Sequence, residues 1–204
     1  MSRSLYALGG AYLGVCVLAL VLAARRPEPA PPAAQPPAPA SAPASAQYPG
    51  VGGAWFARVK PFCNAVEVDV RQQADPPPAT VDGRGYGAAC FALAGKIDRA
   101  RALIDSLPAD QRSAAAGIVF VVGHPVADAG DDRSAGPIMS LVVEYQPKNY
   151  MALYHAGMSQ YAIGHPERAR EHLEAFLRLY TADDGWRSNA RTVLGRIEGR
   201  EGRR

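Results

Sequence analysis

The chain has few cysteines and little net charge, and each scarcity excludes a class of protein. Its three cysteines are too few for a disulfide-dense secreted module, and none forms the CxxC pair typical of zinc or thioredoxin-like redox sites. The 22 basic and 19 acidic residues leave a formal net charge of +3, with no basic run interleaved with aromatic residues. A nucleic-acid partner is therefore not expected.

Charged residues are absent from residues 5–24, a run of twenty that reads LYALGGAYLGVCVLALVLAA. As a helix this run would extend about 30 Å, which matches the hydrocarbon thickness of a bilayer. We therefore predict an N-terminal transmembrane anchor over residues 1–26. Arg3 precedes the run and Arg25 and Arg26 follow it, so the positive-inside rule does not fix its orientation.

Two processing alternatives compete with a retained anchor. One is cleavage of a signal peptide near Val21, Leu22 and Ala23. The other is lipidation at Cys16, which the branched Val15 before the cysteine disfavours.

Residues 27–49 form a linker that contains half of the 18 prolines and one charged residue, Glu28. Such a composition cannot bury a core and favours an extended polyproline II spacer, reaching roughly 70 Å at about 3.1 Å per residue. Spacers of this kind are common in bacterial proteins whose domain projects into the periplasm. By that analogy we predict a single-pass inner-membrane protein with its domain on the periplasmic side.

Beyond the linker, small residues and glycines recur at spacings of seven and five. A small residue lets two antiparallel helices approach closely, and the glycine can adopt the left-handed conformation that ends the first helix. Pro125 and Pro166 suit the first turn of the following helix. The pattern comprises Ala88, Gly95 and Ala100 in one segment, Ala116 and Gly123 in a second, and Gly157, Gly164 and Ala169 in a third.

The third segment, ALYHAGMSQYAIGHPERAREHLEAFLRLY, resembles the tetratricopeptide repeat family through Gly157, Tyr161, Gly164 and Ala169. The resemblance covers residues 85–180 and is weakest in the second unit, where Asp128 stands at the expected small position. It implies an all-α fold in which antiparallel helical hairpins stack as a short solenoid over residues 85–199, closed by a C-terminal capping helix. A disordered tail is expected over residues 200–204.

The segments on either side of the hairpins also have helical apolar patterns. In the leading region, residues 50–84, Pro61 interrupts a stripe, which predicts two short helices followed by a proline-rich loop at residues 75–85. The capping helix is expected to begin near Asp184. The leading stripe is Trp55, Val59, Phe62, Val66 and Val70, and the capping stripe is Trp186, Ala190, Val193, Leu194 and Ile197.

In tetratricopeptide domains the first helix of each pair usually lines a groove, and this rule selects Met151, Tyr154, Met158 and Tyr161. Methionine adapts its shape and tyrosine offers both area and a hydroxyl, so this face could bind an apolar segment of a protein partner. The same four side chains could instead pack against neighbouring helices.

The resemblance implies a scaffold for protein interaction, and the predicted anchor would tether it to a membrane. In the absence of any catalytic motif, no catalytic residue, cofactor or small-molecule substrate is predicted. No metal is expected either, because Asp128, Asp131 and Asp132 lack the alternating spacing that binds calcium. A structural spacer in an envelope assembly is one alternative function.

A thiol-dependent enzyme is the other alternative function. It would use Cys63 or Cys90 with one of the four histidines, which are His124, His155, His165 and His172. His124 and His165 stand in matching GHP sequences, which favours repetition over catalysis. Cys63 and Cys90 could equally form a disulfide or remain two buried thiols.

Overall fold

A computed structural model describes residues 48–201, and within them the side chains of residues 48–199. The predicted anchor and nearly all of the linker lie outside this range. The all-α prediction is confirmed for the described part, where no helix is long and apolar enough to cross a membrane. Its nine α-helices are α1 (Gly50–Val59), α2 (Val68–Ala74), α3 (Val81–Leu93), α4 (Ile97–Asp105), α5 (Ala109–Asp128), α6 (Asp132–Tyr145), α7 (Tyr150–Ala162), α8 (Pro166–Leu179) and α9 (Gly185–Glu201), and a 3-10 helix spans Lys60–Phe62.

The leading region contains the two short helices that were expected, α1 and α2, and Pro61 lies in the 3-10 helix that follows α1. The Phe56 side chain is fully buried and its ring stacks on Tyr86 of α3, with centroids 5.2 Å apart. The Thr80 hydroxyl caps α3 by accepting a hydrogen bond from the Gly83 backbone N–H. Helix α3 therefore begins at Val81, inside the segment 75–85 that was expected to be a loop.

Two further contacts attach the leading region to α3. Cys63 and Cys90 form a disulfide with their Cα atoms 4.8 Å apart, across a sequence separation of 27 residues. The Asp82 carboxylate accepts a hydrogen bond from the Gly52 backbone N–H at 2.7 Å, and a hydrogen bond from the Thr80 hydroxyl is the largest factor that lowers the pKa of Asp82.

Helices α3 to α8 form three hairpins, and the register of the middle one differs from the prediction. The turn glycine of this hairpin is Gly130, whose φ is +77°, whereas Gly123 lies inside α5. Pro125 is also inside α5 and does not begin a helix, although Pro166 begins α8 as expected. The prediction misplaced the middle unit by seven residues.

In the corrected register the small-residue pattern is regular in all three hairpins. The residue seven before each turn glycine and the residue five after it are buried, and all are Gly or Ala. The sequence suggested Asp128 at the small position of the second hairpin, but that position is held by Ala135. The three sets are Ala88, Gly95 and Ala100; Gly123, Gly130 and Ala135; and Gly157, Gly164 and Ala169.

Each turn closes through the same backbone hydrogen bond, in which the N–H after the glycine reaches the carbonyl five residues earlier. This bond belongs to the Schellman motif, which satisfies the last carbonyls of a helix and uses glycine in the left-handed region. The three bonds are Lys96 N to Phe91 O at 2.9 Å, Asp131 N to Val126 O at 3.2 Å and His165 N to Gln160 O at 2.8 Å.

The small residues let the paired helices approach closely. A Cβ atom built on Gly123 would lie 2.5 Å from Ile138 Cγ2, and one built on Gly157 would lie 2.6 Å from Leu173 Cγ. The predicted apolar side of α9 packs on α7 and α8, where Ala190, Val193 and Ile197 are buried.

We expect Gly157→Ala to lower the free energy of unfolding by about 1–3 kcal/mol, because the new methyl would overlap the buried Leu173 side chain. Gly195→Ala is the matched control: Gly195 is also helical, nothing lies within 4 Å of its Cβ position, and the change should stabilise by up to about 1 kcal/mol. Urea denaturation measures both. Equal effects at the two positions would contradict close packing at Gly157.

Reducing the Cys63–Cys90 disulfide should lower the free energy of unfolding by about 3.5 kcal/mol, because the bond constrains the unfolded chain across a sequence separation of 27. The measurement is denaturation with and without a reductant. The double variant Cys63→Ala/Cys90→Ala should not respond to the reductant. An unchanged denaturation midpoint for the wild-type protein would show that the bond contributes nothing.

Candidate functional site

Two histidine side chains meet where α5 contacts α7. The Nε2 atoms of His124 and His155 lie 3.0 Å apart, a distance at which two neutral imidazoles share one hydrogen bond. His124 is half-buried and its ring stacks on Phe120, with centroids 4.9 Å apart. The His155 side chain is buried, and Tyr154 and Trp186 contact its ring edge-on.

The carboxylate of Asp128 completes a cluster that we name the His–Asp cluster: His124, Asp128 and His155. Asp128 lies one turn after His124 on α5, so both side chains project from the same face. Its Oδ2 atom is 3.6 Å from His124 Nδ1, and its Oδ1 atom is 3.7 Å from His155 Nε2. Both distances exceed those of hydrogen bonds.

The His–Asp cluster has a composition that divalent transition metals favour. With one ligand atom taken from each residue, all three atoms lie within 4.8 Å of one another. Two imidazole nitrogens and one carboxylate oxygen form a ligand set that suits zinc and related ions, while calcium and magnesium prefer oxygen ligands alone. The Asp128 side chain is 53% exposed, so the cluster opens to solvent on one side.

The surroundings of His155 determine its charge. Burial is the largest factor that lowers its pKa, and the nearby His124 lowers the pKa further; Asp128 and Asp132 act in the opposite direction. The result is a neutral imidazole with one lone pair available at pH 7. Asp132 is held beside the cluster, because its carboxylate accepts a hydrogen bond from the Ser159 hydroxyl at 3.0 Å.

The four residues selected from the sequence for partner binding lie on α7, and most of them contribute to a core. Tyr154 is buried between Phe176, with ring centroids 5.1 Å apart, and Trp186, with centroids 4.7 Å apart. Met158 and Tyr161 are half-buried against the same core, and Met151 is half-buried. These contacts give the face a packing role, and its binding role stays a prediction.

A groove of about 530 Å³ lies between α5 and the leading region. We name it the α5 groove. Val121 is 65% exposed, and most of the residues that line the groove with it are apolar. The sequence interpretation missed this surface because it ended the helix near Gly123, while α5 continues to Asp128. The walls of the groove include Tyr48, Leu93, Val121, Val122, Pro125 and Val126.

The remaining candidate residues lie elsewhere. Cys63 and Cys90 are joined in the disulfide, so neither sulfur is a thiolate nucleophile in this structure. His165 precedes α8 and its Nδ1 atom lies 2.8 Å from Gln160 Oε1, whereas His124 lies within α5. The matching GHP sequences therefore do not occupy matching positions, and repetition does not explain His124.

The His–Asp cluster was not anticipated as a unit. The HxxxD spacing of His124 and Asp128 was a visible signal, because residues four apart share a helix face. It was obscured because the prediction placed a turn at Gly123 and His124 and began the next helix near Pro125. His155 could be added only once the packing of α7 on α5 was known.

Comparison with protein-family models, with curated proteins and with solved structures found no match for this chain. The interpretation of its surfaces therefore depends on its own geometry.

Proposed function

We propose that the protein is a membrane-tethered scaffold whose helical domain binds an apolar segment of a protein partner in the cell envelope. The observation that carries the proposal is the open α5 groove with its exposed valine. The proposal does not include catalysis.

The hairpin spacing supports a tetratricopeptide-like scaffold. The equivalent small residues Ala88, Gly123 and Gly157 are 35 and then 34 residues apart, close to the 34-residue tetratricopeptide unit. Repeats of this kind stack by contacts between neighbours and present extended surfaces to partners. The corrected register makes the middle unit as regular as the other two at these positions.

The α5 groove suits an apolar segment of a partner. Its volume of about 530 Å³ lies within the range of binding pockets and would accept a few aliphatic side chains. Covering the exposed Val121 would contribute roughly 1–2 kcal/mol from the removal of apolar area from water. Lys60 and Asp131 also line the groove and offer charges of both signs to polar groups of the partner.

The proposed location follows from the N-terminal region and from the disulfide. Residues 5–24 have the length and hydropathy of an anchor, and the proline-rich linker would hold the domain away from the bilayer. The Cys63–Cys90 bond supports a domain on the periplasmic side, because disulfides persist in oxidising compartments.

We expect Val121→Asp to reduce the recovery of the partner at least tenfold, because a carboxylate would have to be buried in an apolar contact. The measurement is cross-linking of the full chain in its native membrane, followed by quantitative identification of the captured proteins. Val70→Asp is the matched control: it changes another exposed valine, 70% exposed, that does not line the α5 groove. Circular dichroism should show unchanged helicity for both variants.

Two further variants test the α7 face in the same experiment. Met151→Ala and Tyr161→Ala should leave the recovery of the partner within about twofold of wild type if the α5 groove is the binding surface. Loss of recovery in these variants, with Val121→Asp unaffected, would assign binding to α7. Equal loss in Val121→Asp and Val70→Asp would refute the assignment to the α5 groove.

A further inference from the structure

We infer that His124, Asp128 and His155 bind one divalent transition-metal ion, with zinc the best match, and that the ion links α5 to α7. The site is separate from the proposed partner-binding groove and does not depend on it. None of the three residues lines that groove.

The spacing of the three side chains is compatible with one shared metal ion, and the Asp128 carboxylate lies too far from both imidazoles for a hydrogen bond. In tetrahedral coordination with bonds of 2.0–2.1 Å, neighbouring ligand atoms are about 3.3 Å apart. The His124 and His155 Nε2 atoms are 3.0 Å apart and His155 Nε2 is 3.7 Å from Asp128 Oδ1, on either side of that value. One ligand atom from each of the three residues can be chosen so that all lie within 4.8 Å of one another. A hydrogen-bonded cluster would instead bring the Asp128 carboxylate closer to the imidazole nitrogens, to between 2.7 and 3.2 Å.

The repeat register shows that the hairpin fold does not require polar residues at these positions. His124 corresponds to Ala89 of the first hairpin and Met158 of the third, which are small or apolar. The packing of successive hairpins is therefore compatible with apolar side chains at this position.

The other two members of the cluster show the same departure from the apolar pattern. Asp128 corresponds to Leu93 and Ala162, and His155 corresponds to Tyr86 and Val121. Three ligand-type side chains have thus replaced apolar or aromatic residues at three positions that the fold brings together. The packing of the hairpins therefore does not explain why three potential metal ligands occur together at these positions.

The ligand set selects the class of ion. Imidazole nitrogen favours zinc and the neighbouring first-row ions, and a carboxylate satisfies part of their charge. Three protein ligands leave a fourth tetrahedral position, and the exposed side of Asp128 allows water to reach it. The ion would link α5 of the second hairpin to α7 of the third, and would therefore favour one relative placement of these two helices.

The test uses the full-length chain, produced without a histidine tag, purified in detergent and treated with a chelator. Calorimetric titration with Zn²⁺ should show one site per chain, and Zn²⁺ should raise the melting temperature. His124→Ala and Asp128→Asn should each weaken binding at least about tenfold and reduce the rise in melting temperature at the same Zn²⁺ concentration. The His124→Ala variant should fold, because the equivalent position of the first hairpin is already an alanine, Ala89.

Trp186 provides an independent readout, because its ring lies 5.6 Å from that of His155. Titration with Co²⁺ should quench the fluorescence of Trp186. The Trp186→Phe variant identifies this contribution, because it lacks that emission. Quenching should be lost in His124→Ala and retained in the control His165→Ala, which changes a histidine outside the cluster. No Zn²⁺ binding up to millimolar concentration, or affinity equal to wild type in both His124→Ala and Asp128→Asn, would overturn the site.

Discussion

The close approach of helices at small residues is the constraint on which the rest of this structure depends. Gly123 allows α6 to lie against α5 within a hairpin, and Gly85 allows α5 to lie against α3 between hairpins, where an added Cβ would be 2.8 Å from Ile118 Cδ1. Larger side chains would separate the axes and leave voids, which protein interiors rarely contain. Because these contacts set the distances of α5 from α3 and from α6, they also influence which side chains of α5 meet neighbouring helices.

The length of α5 connects this constraint to both candidate surfaces. The segment from Gly123 to Asp128 is the last part of α5, and it contributes Pro125 and Val126 to the α5 groove. On another side of the same segment, His124 and Asp128 face His155 of α7. A single stretch of helix thus supplies residues to an apolar surface and to a polar cluster. The two surfaces can be altered separately, because they share no residue.

The sequence was sufficient to predict local structure where a single residue type decides the backbone conformation. Gly95 and Gly164 end helices as expected, Pro166 begins one, and Pro61 divides the leading stripe. Gly123 misled because glycine serves both as a turn residue and as a small packing residue, and only tertiary packing distinguishes these roles. The α5 groove and the His–Asp cluster depend on long-range contacts between elements, which spacing along the chain does not specify.

The most direct test of the packing account is a double-mutant cycle between Gly123 and Ile138, whose Cγ2 atom occupies the space that a Cβ at Gly123 would need. Urea denaturation gives the free energy of unfolding for Gly123→Ala, Ile138→Ala and the double variant. We expect Gly123→Ala to destabilise the wild-type protein by about 1–3 kcal/mol. In the Ile138→Ala background the same change should be neutral or stabilising. The difference between the two effects is the coupling energy, which should exceed about 1 kcal/mol. The same cost for Gly123→Ala in both backgrounds would contradict the account.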